Sequence, residues 1–183
     1  MNGVSIIVPL YNKERTVVSA IEKALGQSSS AFELIVVDDG STDGSVAALA
    51  PFEDRIQLLT QENAGPSAAR NAGARVARFP VLAFLDADDE IHEDFVRSHL
   101  AVRNAHSNVE LSLNSFEVVR GGERERSELL RERAGSLADA HSGSSALLLH
   151  AFDARFVVNV HSGGYCIDKS LFERSGGFDE GLR

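Results

Sequence analysis

No disulfide can form within this chain, because Cys166 is its only cysteine. Nothing in the sequence therefore demands an oxidising compartment, and Cys166 reads as a semi-buried structural thiol rather than a nucleophile. No apolar run approaches the ~18 residues that a membrane-spanning helix needs, and the N-terminus lacks the layout of a signal peptide. The expected address is the cytoplasm, with any membrane association a peripheral one at the inner face. Positive charge is scarce as well: 18 Lys and Arg stand against 27 Asp and Glu, a net charge of −9. That balance argues against a non-specific nucleic-acid surface, although a bound metal can invert the local charge for a small anionic ligand. Internal repeats are absent, and 183 residues suit one domain or one and a fraction.

What the chain does contain is an unusual density of acid at one point. Val81–Glu90 (V-L-A-F-L-D-A-D-D-E) begins as an apolar run without polar alternation, which predicts a strand covered on both faces. It ends in Asp86, Asp88, Asp89 and Glu90. In an open α/β sheet ligands bind at the carboxyl ends of strands. Two carboxylates ~4 Å apart repel by about 4 kcal/mol at an effective dielectric of 20, so the cluster favours a cation among its members.

Three further apolar runs predict strands at Val4–Leu10, Phe32–Val37 and Ile56–Thr60. Between them, Val17, Val18, Ile21, Ala24 and Leu25 fall at helical spacing, with Gly26 as the stop. Ser41, Thr42 and Asp43 are N-cap candidates for a short helix that Pro51 closes. Pro66 opens a helix through Val76, and Ile91–Asn104 forms the next. Strands alternating with helices predict a doubly wound, mostly parallel sheet with right-handed crossovers.

Beyond Val109–Val119 the pattern weakens. Gly121–Arg133 reads as an exposed, charged helix or insertion, Ser142–Ser145 as a flexible stretch, Ala146–Phe152 as a short helix, and Arg155–Val160 as a strand. Asp168–Gly177 carries a helix N-cap and a double-glycine stop.

Two other stretches carry chemistry. Asp38-Asp39-Gly40-Ser41 places adjacent carboxylates at the end of the second strand, suited to accept from a base N–H or a ribose hydroxyl, or to cap a helix. Its strand can neighbour the one ending in Asp86 and Asp88, with both ending on the same edge. Gln61–Asn71 holds small residues that let a helix approach a ligand, with Arg70 one turn in and able to fork onto a phosphate or carboxylate.

These motifs in this order resemble the nucleotide-sugar domain of family 2 glycosyltransferases. The segments that carry the likeness are Ser5–Asn12, Glu33–Asp43, Asn63–Asn71 and Phe84–Asp89, strongly over residues 3–105 and weakly over 160–182. The resemblance implies a GT-A fold, a Rossmann-like mostly parallel sheet flanked by helices. Residues 1–105 would form the donor-binding subdomain and 106–183 part of an acceptor-side subdomain. Pro9, Tyr11 and Asp39 would line the nucleobase pocket, with Glu14 close by and Arg70 at the base or diphosphate. Asp86-Ala87-Asp88 matches the family's metal signature: Asp88 would bind Mg²⁺ or Mn²⁺, Asp86 ribose or metal-bound water, and Asp89 either. The implied reaction transfers a sugar, with inversion, from a nucleotide-diphosphate sugar, expected to be UDP-linked, to a hydroxyl of a saccharide or lipid-linked acceptor.

Such a transfer needs a carboxylate base. In the resembled family the base follows a Gly-Gly-Phe-Asp-Glu stretch, and here the expected Glu-Asp pair would lie beyond Arg183. Asp179 and Glu180 are weak candidates whose simpler role is to fix the loop, and His161 is a lone histidine that could approach an acceptor. The alternative is a module that holds a nucleotide sugar without turnover. A receiver-type signalling domain would put its acid pair after the first strand, which here ends in Pro9-Leu10-Tyr11. A nucleotidyltransferase would show glycines where Tyr11-Asn12-Lys13-Glu14 stands.

Overall fold

The aliphatic runs Val4–Leu10, Phe32–Asp38 and Val81–Phe84 lie side by side in one sheet, because only a surface covered on both faces can bury strands without polar alternation. The computed structural model describes residues 2–106, 108–114, 117–120, 123–126, 146–147 and 164–181. Its strands are β1 (Val4–Leu10), β2 (Phe32–Asp38), β3 (Gln57–Thr60), β4 (Val81–Phe84), β5 (Leu111–Asn114), β6 (Glu117–Arg120), β7 (Glu123–Arg126), β8 (Ala146–Leu147) and β9 (Tyr165–Asp168). The helices are α1 (Val17–Leu25), α2 (Pro66–Val76), α3 (Phe95–Ala105) and α4 (Lys169–Arg174), with a 3-10 helix at Ala47–Phe52.

Seven strands join one sheet in the order β3-β2-β1-β4-β9-β5-β8. The first four are mutually parallel, while β9 pairs antiparallel to both β4 and β5, and β8 to β5. The acid-bearing strands β2 and β4 end on the same edge, as expected, but are not direct neighbours. They flank β1, which pairs with β2 from Val4↔Phe32 to Leu10↔Asp38 and with β4 only as far as Ile7↔Phe84. β4 is the shorter strand, so its chain leaves the ladder early and its acids fall beside the loop that follows β1.

Side-chain alternation divides the core. Ile6, Val8, Leu34, Val36, Ala83 and Leu85 pack with Val17 and Ile21 of α1 and Val96 of α3, whereas Ile7, Ile35, Val37, Leu82 and Phe84 face Ala69 and Ala74 of α2 and Phe172 of α4. Gly73 makes the second contact possible, since a Cβ there would land on Ile7 Cγ2. Buried Glu33 is fully engaged, whereas Arg70 Nε, His99 Nε2 and Arg103 Nε are buried without a hydrogen-bond partner among the described residues. Glu33 accepts from Ser5 Oγ at 2.6 Å and from Arg78 N and Nε at 2.7 Å each, joining β1 and β2 to the turn before β4. Burial acts to raise the Glu33 carboxyl, but the hydrogen bonds from Ser5 and Arg78 outweigh it and hold it below its ordinary value.

Several expectations are corrected. Pro51 lies inside the 3-10 helix rather than closing it, and no side chain caps that helix. Glu123–Arg126, within the stretch expected to be an exposed helix or insertion, pairs antiparallel with β6 as a strand. Ala146 and Leu147, read as the start of a helix, pair with β5. Strand β9 lies where no element was expected. Asp168 does not cap α4 with its side chain; its carboxylate pairs with Arg103. Arg155–Val160, Ser142–Gly143-Ser144-Ser145 and His161 lie outside the described residues.

Candidate functional site

The carboxyl edge of the parallel strands gathers three loops. The chain leaves β1 as Tyr11-Asn12-Lys13, β2 as Asp39-Gly40-Ser41, and β4 as Leu85–Asp89. The first two are laced together. Asn12 takes a left-handed conformation (φ 52°), which asparagine tolerates; its N–H donates to Ser41 Oγ at 3.1 Å and its Oδ1 accepts from Thr42 N at 2.8 Å. Lys13 N donates to Ser45 Oγ at 2.7 Å, while Glu14 Oε2 accepts from Gly44 N at 3.2 Å. Glu14 therefore braces the loop after β2, and Tyr11 stands exposed beside it. Pro9, half-buried in β1, pairs with Val37 of β2 past the end of β4, where its missing N–H leaves no partner on that strand unanswered.

Asp39 is buried and its carboxylate is an anchor. Oδ1 accepts from Gln61 Nε2 at 2.7 Å and Ala64 N at 2.9 Å, and Oδ2 from Gly65 N at 2.8 Å. A carboxylate offers about four lone-pair sites, so one remains for an additional donor. Asp38 accepts from Ser41 N at 3.0 Å and closes the turn.

Two of the acids after β4, Asp86 and Asp88, each meet a cation from a different part of the chain. Arg70 Nη2 of α2 lies 2.5 Å from Asp86 Oδ1, and Lys13 Nζ lies 2.5 Å from Asp88 Oδ2. The first pair is largely buried and the second half-exposed. Asp89 N donates to Asp86 O at 3.0 Å, folding the acids into one turn. Arg70 Nε is buried with no hydrogen-bond partner among the described residues, and its guanidinium lies over the Phe178 ring at 5.4 Å. Burial pushes the Tyr165 phenol up to about 12, with the Arg70 charge opposing and Asp86 reinforcing the shift, so a neutral phenol lies within the field of this pair.

The loop after α4 docks against the same helix. Asn71 Nδ2 donates to Phe178 O at 2.9 Å and Glu180 Oε1 at 2.8 Å, and its Oδ1 accepts from Phe178 N at 2.9 Å. Gly177 holds φ +74° with Asn71 Oδ1 2.8 Å from where a Cβ would sit, so only glycine fits. Asp179 accepts from Gly181 N at 2.9 Å. Asp179 thus engages the loop itself and Glu180 ties the loop to Asn71 of α2.

The carboxyl edge of the sheet and the helix beside it carry Tyr11, Asp39, Arg70, Asp86, Asp88 and Asp89. Lys13, Gln61, Asn71 and Phe178 were given no role of their own, although Gln61 and Asn71 bound the stretch that carries Arg70 and Phe178 lies in the Gly-Gly-Phe-Asp-Glu stretch. Asp86 and Asp88 supply the hard carboxylate oxygens that Mg²⁺ and Mn²⁺ take. Among the described residues no three His, Cys, Asp or Glu side chains form a metal-binding group. The edge suits an ion that arrives with phosphate ligands of its own, since Mg²⁺ commonly takes one or two carboxylates and fills its remaining positions with phosphate oxygens and water.

A mixed α/β sheet with acids and cations converging at its carboxyl edge defines a GT-A type of architecture. Residues 5–146 match the glycosyl transferase family 2 signature, and the chain belongs to that family. A glycosyltransferase of Bacillus subtilis, EpsJ, is 33% identical over 189 residues, covering 98% of this chain and 52% of that protein. The structure of Staphylococcus aureus TarS in complex with UDP-GlcNAc superposes with a TM-score of 0.74 at 20% identity, over 96% of this chain and 48% of that one. The mannosyltransferase PcManGT of Pyrobaculum calidifontis, in complex with GDP-Man and Mn²⁺, gives 0.63 at 20% identity, over 97% and 47%. The chain spans about half or less of the length of the curated relatives it matches, from 13% to 52%. Among the described residues no helix is long and apolar enough to cross a membrane.

Proposed function

We propose that this chain is the donor-binding part of a glycosyltransferase that moves a sugar from a nucleotide-diphosphate sugar, UDP-linked, to an acceptor hydroxyl with inversion. The observation that carries this reading is the pairing of Arg70 with Asp86 and Lys13 with Asp88 at one sheet edge, in a chain of family 2. Residues 1–105 bind the donor, and residues 106–183 belong to the acceptor side. The acceptor is a saccharide or lipid-linked alcohol met in the cytoplasm or at the inner face of a membrane.

In this reading the nucleobase lies against Tyr11, with Pro9 and Glu14 shaping the pocket and the remaining acceptor site of Asp39 taking a base N–H. Arg70 holds the diphosphate through its unused Nε–H and the fork beside it. Asp88 and Asp86 would hold Mg²⁺ or Mn²⁺, with Asp89 beside them, and the ion would supply Lewis-acid stabilisation of the charge on the departing diphosphate. Attack by the acceptor oxygen opposite the leaving diphosphate inverts the anomeric carbon, and a carboxylate takes the hydroxyl proton. Asp179 and Glu180 hold the loop that approaches Arg70, which suits them to positioning.

Isothermal titration with UDP in the presence of Mn²⁺ tests the proposal. The wild-type chain should bind, and Asp88→Asn should weaken binding by at least about tenfold, a loss of ~1.4 kcal/mol. Absence of wild-type binding, or equal binding by the variant, would overturn it.

A further inference from the structure

We propose that Lys13 is a resident counter-cation for Asp88, displaced when a divalent ion binds there and then passed to the diphosphate of the incoming donor. The inference rests on the donor-site reading above and assigns a role to a residue outside its expected site.

Three observations carry it. The Lys13 backbone is fixed: its N–H donates to Ser45 Oγ at 2.7 Å, and its carbonyl accepts from Thr16 N at 3.0 Å and Val17 N at 2.9 Å as α1 begins. The Cα is thus held while the four-carbon stem swings. Its ammonium lies 2.5 Å from Asp88 Oδ2, the position a cation would take on that carboxylate, and both side chains remain nearly half exposed at 42% and 45%. An ion pair so open to water is weak and readily exchanged. Asp86, in contrast, is paired with the better-buried Arg70. The two acids therefore carry one exchangeable and one firmly held cation.

A divalent ion at Asp88 would repel the ammonium at close range, and the donor's diphosphate offers the released charge a new partner. The ion alone must work against Lys13, whereas the ion with a nucleoside diphosphate gains from it. Binding of the two is consequently coupled, and the lysine carries part of the coupling.

The experiment titrates wild type and Lys13→Met with Mn²⁺ alone, then with UDP at saturating Mn²⁺. The variant should bind Mn²⁺ about three- to tenfold more tightly and UDP·Mn²⁺ about three- to tenfold more weakly, as expected for losing a half-exposed ion pair and a nearby like charge. A Lys23→Met variant, on α1, controls for general loss of positive charge and should leave both constants unchanged. In parallel, the methyl signals of the reductively dimethylated chain, assigned by comparison with Lys13→Met, follow the side chain directly. The Lys13 signal should move on adding Mg²⁺ and move again on adding UDP. An unchanged Mn²⁺ affinity in Lys13→Met, equal effects in Lys23→Met, or a Lys13 signal indifferent to Mg²⁺ would overturn the inference while leaving donor binding intact. Failure of wild type to bind UDP·Mn²⁺ would instead remove the donor-site reading on which it stands.

Discussion

Asp39 carries two demands on one carboxylate. Its oxygens already hold Gln61, Ala64 N and Gly65 N, which fixes the approach to α2 before any ligand arrives. Truncation should therefore be felt without donor: Asp39→Ala leaves two backbone N–H groups unpaired and should cost roughly 2–4 kcal/mol in urea denaturation. Asp39→Asn, which keeps one acceptor, should cost about half as much. His99 offers a different kind of test. It is buried against Phe95 and hydrogen-bonded through Nδ1 to Ser112 Oγ at 2.6 Å, and burial, assisted by the Arg103 charge, drives its pKa from 6.5 down to about 3. The unfolded chain takes up this proton below its ordinary value, whereas the folded chain refuses it until about 3. Stability is thus full above 6.5 and falls as pH drops through that window. At pH 5 the loss should be roughly 2 kcal/mol relative to pH 7.5, and His99→Phe should abolish that difference between the two urea midpoints.

Elements meet here through very short side chains. Helix α2 lies on β1 and β2 at Gly73, where an added Cβ would meet Ile7 and Val37 side chains. Alanine favours helix by about 1 kcal/mol over glycine, but overpacking a core typically costs about 1–3 kcal/mol. Gly73→Ala should therefore lower the melting temperature measured by circular dichroism; a rise would show that the helix can retreat without penalty. The same view explains which elements were legible in advance. Runs such as V-S-I-I-V-P-L and F-E-L-I-V-V declare buried strands because no other element buries both faces of a β-branched segment. Strand β9, Y-C-I-D, is too short and mixed for any period to show, and it exists because β4 and β5 both offer it ladder bonds. Glu123–Arg126 lies in a stretch whose charge pattern reads as an exposed helix or insertion, yet pairing with β6 decides its conformation. The acids of the candidate site were legible as clusters at strand ends. Arg70 was legible as a candidate beside them, whereas the contacts of Lys13 with Asp88 and Asn71 with Glu180 span 75 and 109 positions and follow only from the strand order.

At the scale of the molecule, a net charge of −9 sets the terms on which an anionic donor can bind. Asp86 and Asp88 already consume the nearby cations Arg70 and Lys13, so a bare nucleoside diphosphate meets a surface with little uncompensated positive charge. Donor binding should consequently require the metal, and the requirement should be visible in folding itself. A ligand that binds only the folded chain stabilises it by about 2.7 kcal/mol at a hundredfold excess over its dissociation constant. For a chain of this size that corresponds to roughly 5–10 °C in melting temperature. UDP with Mn²⁺ should produce such a shift in thermal unfolding, and chelating the metal should remove most of it. On the proposed reading, in which Asp39 accepts from a uracil N–H, GDP with Mn²⁺ should shift the transition less. Equal shifts for both nucleotides would leave the diphosphate as the recognised group, whereas a UDP shift that survives chelation would relocate binding from Asp86 and Asp88 to Arg70 alone.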